Sequence, residues 1–295
     1  MLKLVMRDSL KLAKQKKMMV ILAALLILVI LNLYLSNTWV EVNIYNINPD
    51  KLPEEFNGYT IVQLSDIHFR NLRGLKKDFM GIAEEKAGKM GIRIDCVCIT
   101  GDLIDNGRGI ITRVADYVGE IAKKYPVYFV GGNHDYKPGI SGFEKLLSDR
   151  GAVILENDAV KITRGKAHMW MVGISDHQYG MDRPDLAFRD VAIQDFSITM
   201  IHEPVTFKEL AKNGADFVMS GHTHAGQIRL PFLPVLYSPG QGFFPEYGYG
   251  FYTTERPDNA KAVMYVSKGI GYTGDRIGVR FTNRPEIAMF ILKKK

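Results

Sequence analysis

Cysteine is nearly absent from this sequence of 295 residues, which contains only Cys96 and Cys98. The two lie two positions apart in an apolar run that is typical of a β-strand, so both side chains point to one face of that strand. Adjacent positions on one strand are poorly placed for a disulfide bond. We therefore expect two small buried apolar side chains, and the cysteines do not report the redox compartment.

The body of the chain lacks an excess of positive charge, although the whole chain carries a net charge of +6. Residues 1–17 carry +5 and the three C-terminal lysines carry +3, which leaves −2 for residues 18–292. A protein that binds nucleic acid is expected to show a basic patch or stripe on its folded body. The sequence therefore predicts no nucleic-acid partner.

One long apolar run is present, at residues 18–35, interrupted by Asn32 and Tyr34. A helix of about 18 residues spans about 27 Å, close to the thickness of the hydrocarbon core of a bilayer. The run is longer than the apolar region of a cleavable signal peptide, and neither an A-x-A-like cleavage site nor a paired arginine accompanies it. We predict a single-span membrane anchor at residues 18–35, with cleavage within residues 36–38 as the weaker alternative.

The charges around this run predict its orientation. The basic residues near it lie in the segment 1–17, and none follows it until Lys51. The positive-inside rule then places the basic segment 1–17 in the cytoplasm and residues 40–295 outside it. We therefore predict a single-pass protein of the cell membrane with a cytoplasmic N-terminus and an extracytoplasmic body.

Beyond residue 38 the chain alternates between strand-like and helix-like segments, without repeats or low-complexity tracts. Strand-like apolar runs include Thr60–Leu64, Val127–Val130 and Phe217–Ser220, and helical spacing of apolar residues recurs between such runs. The order is β-α-β-α-β at first and strand-rich later. It predicts an α/β fold in which a two-sheet β-sandwich is flanked by helices, with ligands gathered at the carboxyl ends of strands.

Five polar blocks follow predicted strands and contain five of the seven histidines. They are Asp66-Ile67-His68, Gly101-Asp102-Leu103-Ile104-Asp105, Gly132-Asn133-His134-Asp135, His202 and Gly221-His222-Thr223-His224. Each block supplies a carboxylate, an imidazole or an amide oxygen that can bind a divalent cation. A single D-x-H or a single histidine is a weak signal, because such residues are often structural. Five blocks in this order, each at a strand end, indicate a metal site.

These blocks resemble the motifs of the calcineurin-like metallophosphoesterases. The resemblance covers residues 58–292, so we interpret residues 40–295 as one metallophosphoesterase domain. The N-terminal anchor, the run GHTHAGQIRLP at 221–231 and the run NRPE at 283–286 are similar to the membrane-associated bacterial branch of YkuE/YaeI type. That branch includes relatives of UDP-2,3-diacylglucosamine pyrophosphatase.

The resemblance implies a centre of two divalent metal ions. One ion would be held by Asp66, His68, Asp102 and His224, and the second by Asp102, Asn133, His202 and His222. Asp102 would then bridge the two ions. His134 would contact the phosphate and protonate the departing oxygen, and Asp135 would orient the imidazole of His134. These ligand types suit manganese, zinc or iron, of which we expect manganese.

The activity implied by the resemblance is hydrolysis of a phosphodiester or pyrophosphate by a hydroxide that bridges the metal ions. The implied substrate is lipid-linked, such as a UDP-diacylglucosamine-like molecule. This conflicts with the predicted topology, because UDP-linked lipids lie on the cytoplasmic face, whereas an extracytoplasmic body meets cell-wall or phospholipid phosphoesters. Protein phosphatases of the superfamily carry arginine where this chain has Asn106, which favours diesters over phosphoproteins. The alternatives are a general phosphomonoesterase and a non-catalytic metal-site scaffold that binds a partner protein.

Two features outside the five blocks each keep two interpretations. The stretch 232–252 holds eight aromatic residues, and is either a long loop packed on its own aromatics or an apolar lip that receives acyl chains or touches the bilayer. Three arginines lie near the C-terminus: Arg276, Arg280 and Arg284. Either one of them pairs with a substrate phosphate, or they form structural ion pairs. His168 and His177 receive no role.

Overall fold

The computed structural model describes residues 2–69, 78–105, 110–137, 142–230, 232–272 and 278–295, with side chains from residue 10 onward. Asn106, Pro231 and Arg276, which enter the sequence interpretation, lie outside these ranges.

The chain begins with one long helix, α1 (Leu2–Thr38). Residues 10–31 of this helix are exposed along their whole length, and the part from Leu10 to Thr38 is long and apolar enough to cross a membrane. The apolar run predicted as an anchor lies inside this helix. Packing against the rest of the chain begins at Asn32, the first partly buried residue of the described side chains.

Two sheets of six strands each, counted within the described residues, form the body of the protein. The strands of the first sheet are β1 (Glu41–Ile47), β2 (Thr60–Leu64), β3 (Cys96–Thr100), β4 (Val127–Val130), β5 (Ala152–Ile154) and β14 (Glu286–Leu292). The strands of the second sheet are β6 (Asp158–Arg164), β7 (Ala167–Gly173), β8 (Ser197–Met200), β9 (Phe217–Ser220), β12 (Gly250–Glu255) and β13 (Lys261–Val266). A separate hairpin is made by β10 (Tyr237–Ser238) and β11 (Gly242–Phe243).

The central strands of both sheets run parallel. In the first sheet β2, β3, β4 and β5 are parallel neighbours, and in the second sheet β7, β8, β9 and β13 are. Parallel neighbours bring their carboxyl ends to one edge of a sheet. The two edges meet, since the Gln63 side chain of β2 donates a hydrogen bond to the Ser220 carbonyl of β9 at 3.0 Å. The loops that follow these strands therefore gather in one place.

Helices cover the outer faces of the two sheets. Those against the first sheet are α2 (Phe79–Lys89), α3 (Ile111–Ala122) and α4 (Phe143–Asp149), and those against the second are α5 (Pro184–Ala187) and α6 (Phe207–Lys212). Within β3, Val97 and Ile99 pack toward the helices, whereas Cys96 and Cys98 pack between the sheets, because successive side chains of a strand point to opposite faces. The predicted α/β sandwich with an N-terminal apolar helix is confirmed, and both cysteines are buried and free.

The aromatic stretch 232–252 is not the single long loop of the first interpretation. It contains β10, β11 and the first residues of β12. Strand β12 lies at the edge of its sheet, and its residues GFYTTE alternate between partly buried and exposed positions. It was not predicted because this sequence lacks the apolar–polar alternation of a half-buried strand. By contrast, β2, β4 and β9 begin and end at the predicted residues.

Candidate metal centre

The candidate ligands lie in the loops that follow β2, β3, β4, β8 and β9, where the carboxyl edges of the two sheets meet. All seven are buried: Asp66, His68, Asp102, Asn133, His202, His222 and His224. Backbone hydrogen bonds of 3.0 Å tie these loops together, from the Asp66 amide to Gly101, from the His68 amide to Asp102, and from the Gly221 amide to His202. The structure thus brings every predicted ligand to one buried cluster.

The backbone of this cluster is strained. The angle φ lies between 46° and 70° at Asp66, His68, Asp102, His222 and His224. Non-glycine residues rarely adopt this left-handed conformation, although aspartate and histidine tolerate it better than most. Each instance costs on the order of 1–3 kcal/mol and persists only where the surrounding structure imposes it. Strain concentrated on the candidate ligands indicates a functional site.

Two glycines allow the loops to approach closely. Gly101 has a φ of 85°, and a Cβ atom there would lie 2.5 Å from Nδ1 of His202. A Cβ atom on Gly132 would lie 2.4 Å from Oδ1 of Asp102. Both contacts are shorter than heavy atoms tolerate, so the glycines that precede Asp102 and Asn133 are required by the packing of the cluster.

The first group of donors consists of Asp66, His68 and His224. Nε2 of His224 lies 3.3 Å from Oδ1 of Asp66 and 3.2 Å from Nε2 of His68. One ligand atom from each of the three residues fits within 4.8 Å of the others. The Asp66 carboxylate is held in place by the Ser65 hydroxyl at 2.5 Å and by the backbone amide of His222 at 3.0 Å. This group has the composition of a divalent-cation site.

The second group consists of Asp102, Asn133, His202 and His222. Nε2 of His202 lies 3.3 Å from Oδ2 of Asp102. Nδ1 of His222 lies 3.2 Å from Nε2 of His202 and 3.2 Å from Oδ1 of Asn133. Carboxylate, amide and imidazole donors therefore converge a second time.

Asp102 stands between the two groups. Its Oδ1 accepts a hydrogen bond from the backbone amide of His134 at 2.8 Å. Its Oδ2 lies 3.5 Å from Nε2 of His68, in the first group, and 3.3 Å from Nε2 of His202, in the second. One oxygen is thus fixed by the backbone while the other faces both groups.

The protonation of these side chains fits metal binding. Burial lowers the pKa of His68 to about 4 and that of His222 to about 3, so both rings are neutral and offer lone pairs. Burial also disfavours a charge on His202, but Asp102 raises the pKa of His202 well above its usual value. Nδ1 of His202 donates to the Thr100 carbonyl at 2.8 Å, so the proton that Asp102 attracts sits on Nε2. A divalent cation held by His202 and Asp102 would take the place of that proton, and the donor set suits such a cation.

His134 lies beside the donor groups, and its carboxylate partner is Asp105. Nδ1 of His134 is 2.6 Å from Oδ1 of Asp105. Burial opposes a charge on His134, but the hydrogen bond that its ring donates to Asp105 raises the pKa of His134 above the usual value. Nζ of Lys137 also lies 2.8 Å from Nδ1 of His134. The imidazole is therefore oriented by the second aspartate of the GD-x-x-D block.

The expectation that Asp135 orients His134 is wrong. The Asp135 carboxylate accepts hydrogen bonds from the backbone amides of Gly132 at 3.0 Å and Ile104 at 3.1 Å. Asp135 therefore ties the loop after β4 to the loop after β3, because its side chain turns toward the backbone and away from the imidazole. Sequence reasoning missed the role of Asp105, although its place in GD-x-x-D marks it as a polar residue near the cluster.

A cleft of about 440 Å³ opens over the second group. Its lining includes His134, His177, Glu203, His222 and Tyr237. His177, to which the sequence assigned no role, thus lines the cleft. A larger cavity of about 640 Å³ lies at the amino edge of the first sheet, beside Asp95 and Arg164. It contains none of the candidate ligands, so chemistry and not size identifies the functional cleft.

Neither described arginine of the C-terminal segment lines the cleft. Arg280 has no exposed surface and donates to the Gly271 carbonyl at 2.7 Å, with Nδ1 of His224 at 3.2 Å. Burial lowers the pKa of Arg280 to about 10, which leaves it charged behind the first donor group. Arg284 pairs with Glu41 at 3.1 Å. A phosphate-binding role is therefore wrong for Arg280, and the structural ion pair is confirmed for Arg284.

Comparison with known proteins agrees with this site. The calcineurin-like phosphoesterase family matches residues 59–226, which include all seven candidate ligands. The metallophosphoesterase YkuE of Bacillus subtilis is 29% identical over 274 residues, which cover 88% of each chain. A transmembrane protein with a metallophosphoesterase domain from Danio rerio is 31% identical over 262 residues, which cover 83% of this chain and 55% of that one.

A solved structure shows the same fold. The NAD nucleotidase NadN of Haemophilus influenzae superposes with a TM-score of 0.50 at 15% identity, over 72% of this chain and 45% of that chain. At this identity the likeness concerns the fold alone. The family match, the confirmed sandwich and the clustered His and Asp side chains lead to one conclusion: this chain belongs to the calcineurin-like phosphoesterase family and is a phosphoester hydrolase.

Proposed function

We propose that this protein hydrolyses a phosphodiester or pyrophosphate bond with the help of two divalent metal ions. Manganese is the proposed metal, and zinc or iron are the alternatives. The observation that carries the proposal is the position of Asp102, whose Oδ2 lies within 3.5 Å of His68 and of His202. A carboxylate oxygen that faces two donor groups is suited to bridge two ions.

The first ion is assigned to Asp66, His68, Asp102 and His224, and the second to Asp102, Asn133, His202 and His222. When bound, such a pair supplies Lewis acidity for the phosphoryl oxygens and the nucleophile for in-line displacement. The protein holds the ligands in strained loop conformations that are set before any substrate arrives, which limits reorganisation during the reaction.

His134 is proposed to give a proton to the departing oxygen. Asp105 accepts a hydrogen bond from Nδ1 of His134, and Nε2 lies 3.2 Å from Nζ of Lys137. His134 lines the cleft, and Nε2 is proposed as the nitrogen that gives up the proton. Although burial opposes a charge on the ring, the hydrogen bond to Asp105 raises the pKa of His134, which favours the protonated form that this task requires. Asp105 is thus proposed as the positioning residue, in place of Asp135.

The proposed substrate is amphiphilic, a lipid-linked phosphodiester or pyrophosphate. A UDP-diacylglucosamine-like molecule requires a cytoplasmic body, and a phospholipid or cell-wall phosphoester an extracytoplasmic one. The support is the apolar helix α1, which is long and apolar enough to cross a membrane and would then hold the cleft close to it, together with relatives that are named transmembrane proteins. The charge distribution around α1 favours an extracytoplasmic body, where phospholipid and cell-wall phosphoesters are the available substrates.

The full-length chain in detergent micelles tests the proposal. After metal is stripped with a chelator and manganese is restored, we expect two manganese ions per chain. We also expect turnover of bis(p-nitrophenyl) phosphate or UDP-diacylglucosamine that is lost in His134→Ala. Hydrolysis of p-nitrophenyl phosphate alone would replace the proposal by a phosphomonoesterase. Two bound manganese ions without turnover of any of the three compounds would favour a non-catalytic scaffold.

A further inference from the structure

A loop beside the cleft exposes large apolar side chains. We name residues 228–244, without the undescribed position 231, the apolar loop. Phe232 is fully exposed, and Phe243 and Phe244 are 76% and 71% exposed. Ile228, Leu230 and Leu233 are exposed as well. Single exposed apolar residues are ordinary, but six large ones within one loop indicate a surface that is covered in use.

The apolar loop holds these side chains outward in an ordered way. Val235 is buried and packs toward the backbone of Gly226 and Gly248, and the Phe244 amide donates to the Leu236 carbonyl at 2.8 Å. Phe232 and Phe244 have φ angles of 66° and 54°. Left-handed conformations are unusual for bulky residues and cost free energy. The conformation that exposes these phenylalanines therefore costs the protein conformational free energy.

The apolar loop is joined to the end of helix α1. The Arg229 amide donates to the Phe281 carbonyl at 2.9 Å, and the next residue, Thr282, donates its own amide to Oδ1 of Asn32 at 2.9 Å. Asn37 binds Arg280 through both its side-chain atoms, at 2.8 and 3.0 Å. Asn32, the polar interruption of the apolar run, is thus the point where the body is attached to the helix.

The length of the apolar run sets the depth of this attachment. Lys17 is the last charged residue before Asn32, and the residues from 18 to 31 between them cover about 21 Å as a helix. The hydrocarbon core of a bilayer is about 30 Å thick. About six further residues are needed to span it, so residues 32–37 reach the membrane boundary. The apolar loop, attached to these residues through 280–282, lies at the same level.

The same loop forms part of the cleft. It begins four residues after His224 and returns to the cleft at Tyr237, Pro239 and Gly240, all three of which line it. Phe243 contacts Tyr237 with ring centroids 5.4 Å apart. The exposed phenylalanines and the wall of the cleft are therefore connected by short stretches of backbone.

The geometry points to the apolar loop as a membrane-docking element that inserts its phenylalanines into the bilayer interface beside α1. Docking places the cleft at the level of the lipid headgroups. The phosphoester reaches the donor groups while the acyl chains of the substrate remain in the bilayer. This assignment of an amphiphilic substrate rests on the proposed hydrolysis, whereas the docking itself does not depend on any reaction.

Fluorescence in lipid vesicles tests docking without turnover. The two native cysteines have no exposed surface, so a single introduced cysteine can be labelled selectively in the full-length chain. Phe232→Cys and Phe244→Cys, each carrying an environment-sensitive dye, are reconstituted in phosphatidylcholine–phosphatidylglycerol vesicles that contain nitroxide-labelled lipid. The matched control is Met90→Cys, which is 55% exposed at the end of α2, between Gly88 and Ile92, which line the cavity at the amino edge of the first sheet.

We expect a blue-shifted and strongly quenched dye at positions 232 and 244, and an unquenched dye at position 90. Equal quenching at 232 and 90 would overturn the proposal. Cross-linking of two Phe232→Cys chains through the introduced thiols, without lipid quenching, would also overturn it, because the loop would then bind a second copy. Phe232→Ser/Phe244→Ser supplies an activity readout, with Met90→Ser as control. We expect the ratio of bilayer-substrate to soluble-diester turnover to fall about tenfold only in the loop variant.

Discussion

The two edges of the first sheet are built from the same strands but end in different ways. At the carboxyl edge, β2 and β3 run into loops with left-handed residues, and the loops after β2, β3 and β4 supply Asp66, His68, Asp102 and Asn133 to the two donor groups. At the amino edge, the same strands begin beside a larger cavity in which Asp95 accepts from the Thr60 amide at 2.9 Å and from Arg164 at 2.8 Å. There each charge already has its partner.

The contrast extends to two buried arginines. Arg256, near the amino end of β9, is bound to the carboxylates of Asp216 and Asp258. Arg280, at the carboxyl edge, binds carbonyl oxygens, and among the described residues it makes no ion pair within 4.0 Å. Charges at the amino edge are neutralised within the protein. At the carboxyl edge, Asp66 and Asp102 instead face several imidazoles in groups that could hold a metal ion, which is typical of a functional cluster.

The largest expected effect follows from Asp102→Asn. The amide keeps the size of the side chain and can still accept from the His134 amide, but it removes the negative charge that faces both donor groups. We expect kcat/KM for bis(p-nitrophenyl) phosphate with manganese to fall about 10³-fold or more, with fewer manganese ions bound per chain. Asp95→Asn at the amino edge is the control, and its activity per folded molecule should be unchanged. Equal losses in both variants would remove the distinction between the edges.

A smaller loss is expected from the residues that handle the leaving group. His134→Ala should lower turnover about 10²- to 10³-fold, and more for an alkyl phosphodiester than for a nitrophenyl one, because an alkoxide needs the proton more. Asp105→Asn should lower turnover about tenfold with the same dependence on leaving group. Asp135→Asn should instead lower the melting temperature, since its carboxylate binds backbone amides. If the leaving group affects the Asp135 variant and not the Asp105 variant, the assignment of the two carboxylates is reversed.

Substitutions of Arg256 and Arg280 are expected to change stability and turnover by intermediate amounts. Arg256→Met leaves Lys51, 3.5 Å away, as the remaining cationic partner of the buried Asp216 carboxylate. We expect the free energy of unfolding to fall by about 3 kcal/mol with unchanged turnover per folded molecule. Arg280→Met frees the loop at 268–271, whose Gly271 amide binds the Asp66 carbonyl at 2.7 Å, so turnover should fall as well. Urea unfolding and diester hydrolysis measure the two quantities. Unchanged turnover in both variants would make Arg280 a structural residue only.

The smallest effect concerns a carboxyl group outside the cluster. Burial, with Glu156 nearby, raises the pKa of Glu144 to about 7. A raised pKa means that the folded protein favours the protonated acid, so stability is present at low pH and is lost as pH rises from the unfolded value of about 4.5 through 7. Because Glu144 is only half-buried, we expect Glu144→Gln to stabilise by about 1 kcal/mol at pH 8, or about 2 °C in Tm. No gain is expected at pH 5, and a gain there would contradict the assignment.

Much of this centre could be predicted because its motifs are local. A ligand pair such as Asp66 and His68 lies within a few residues of a strand end, and the parallel order of the strands brings such ends together. The partner of His134 could not be predicted in this way. Asp105 and Asp135 are both candidates from the motifs, and only the turn after β4, which directs Asp135 toward the amides of Gly132 and Ile104, decides between them.

The sequence by itself determined the family, the seven candidate ligands and the apolar run of α1. Each of these depends on residue identity and on spacing within short segments of the chain. Tertiary structure decided the rest. The two donor groups that face Asp102, the burial of Arg280 behind His224 and the attachment of Asn32 to Thr282 all join residues far apart in the chain. Such contacts depend on how the two sheets pack against each other, and no local sequence pattern specifies that packing.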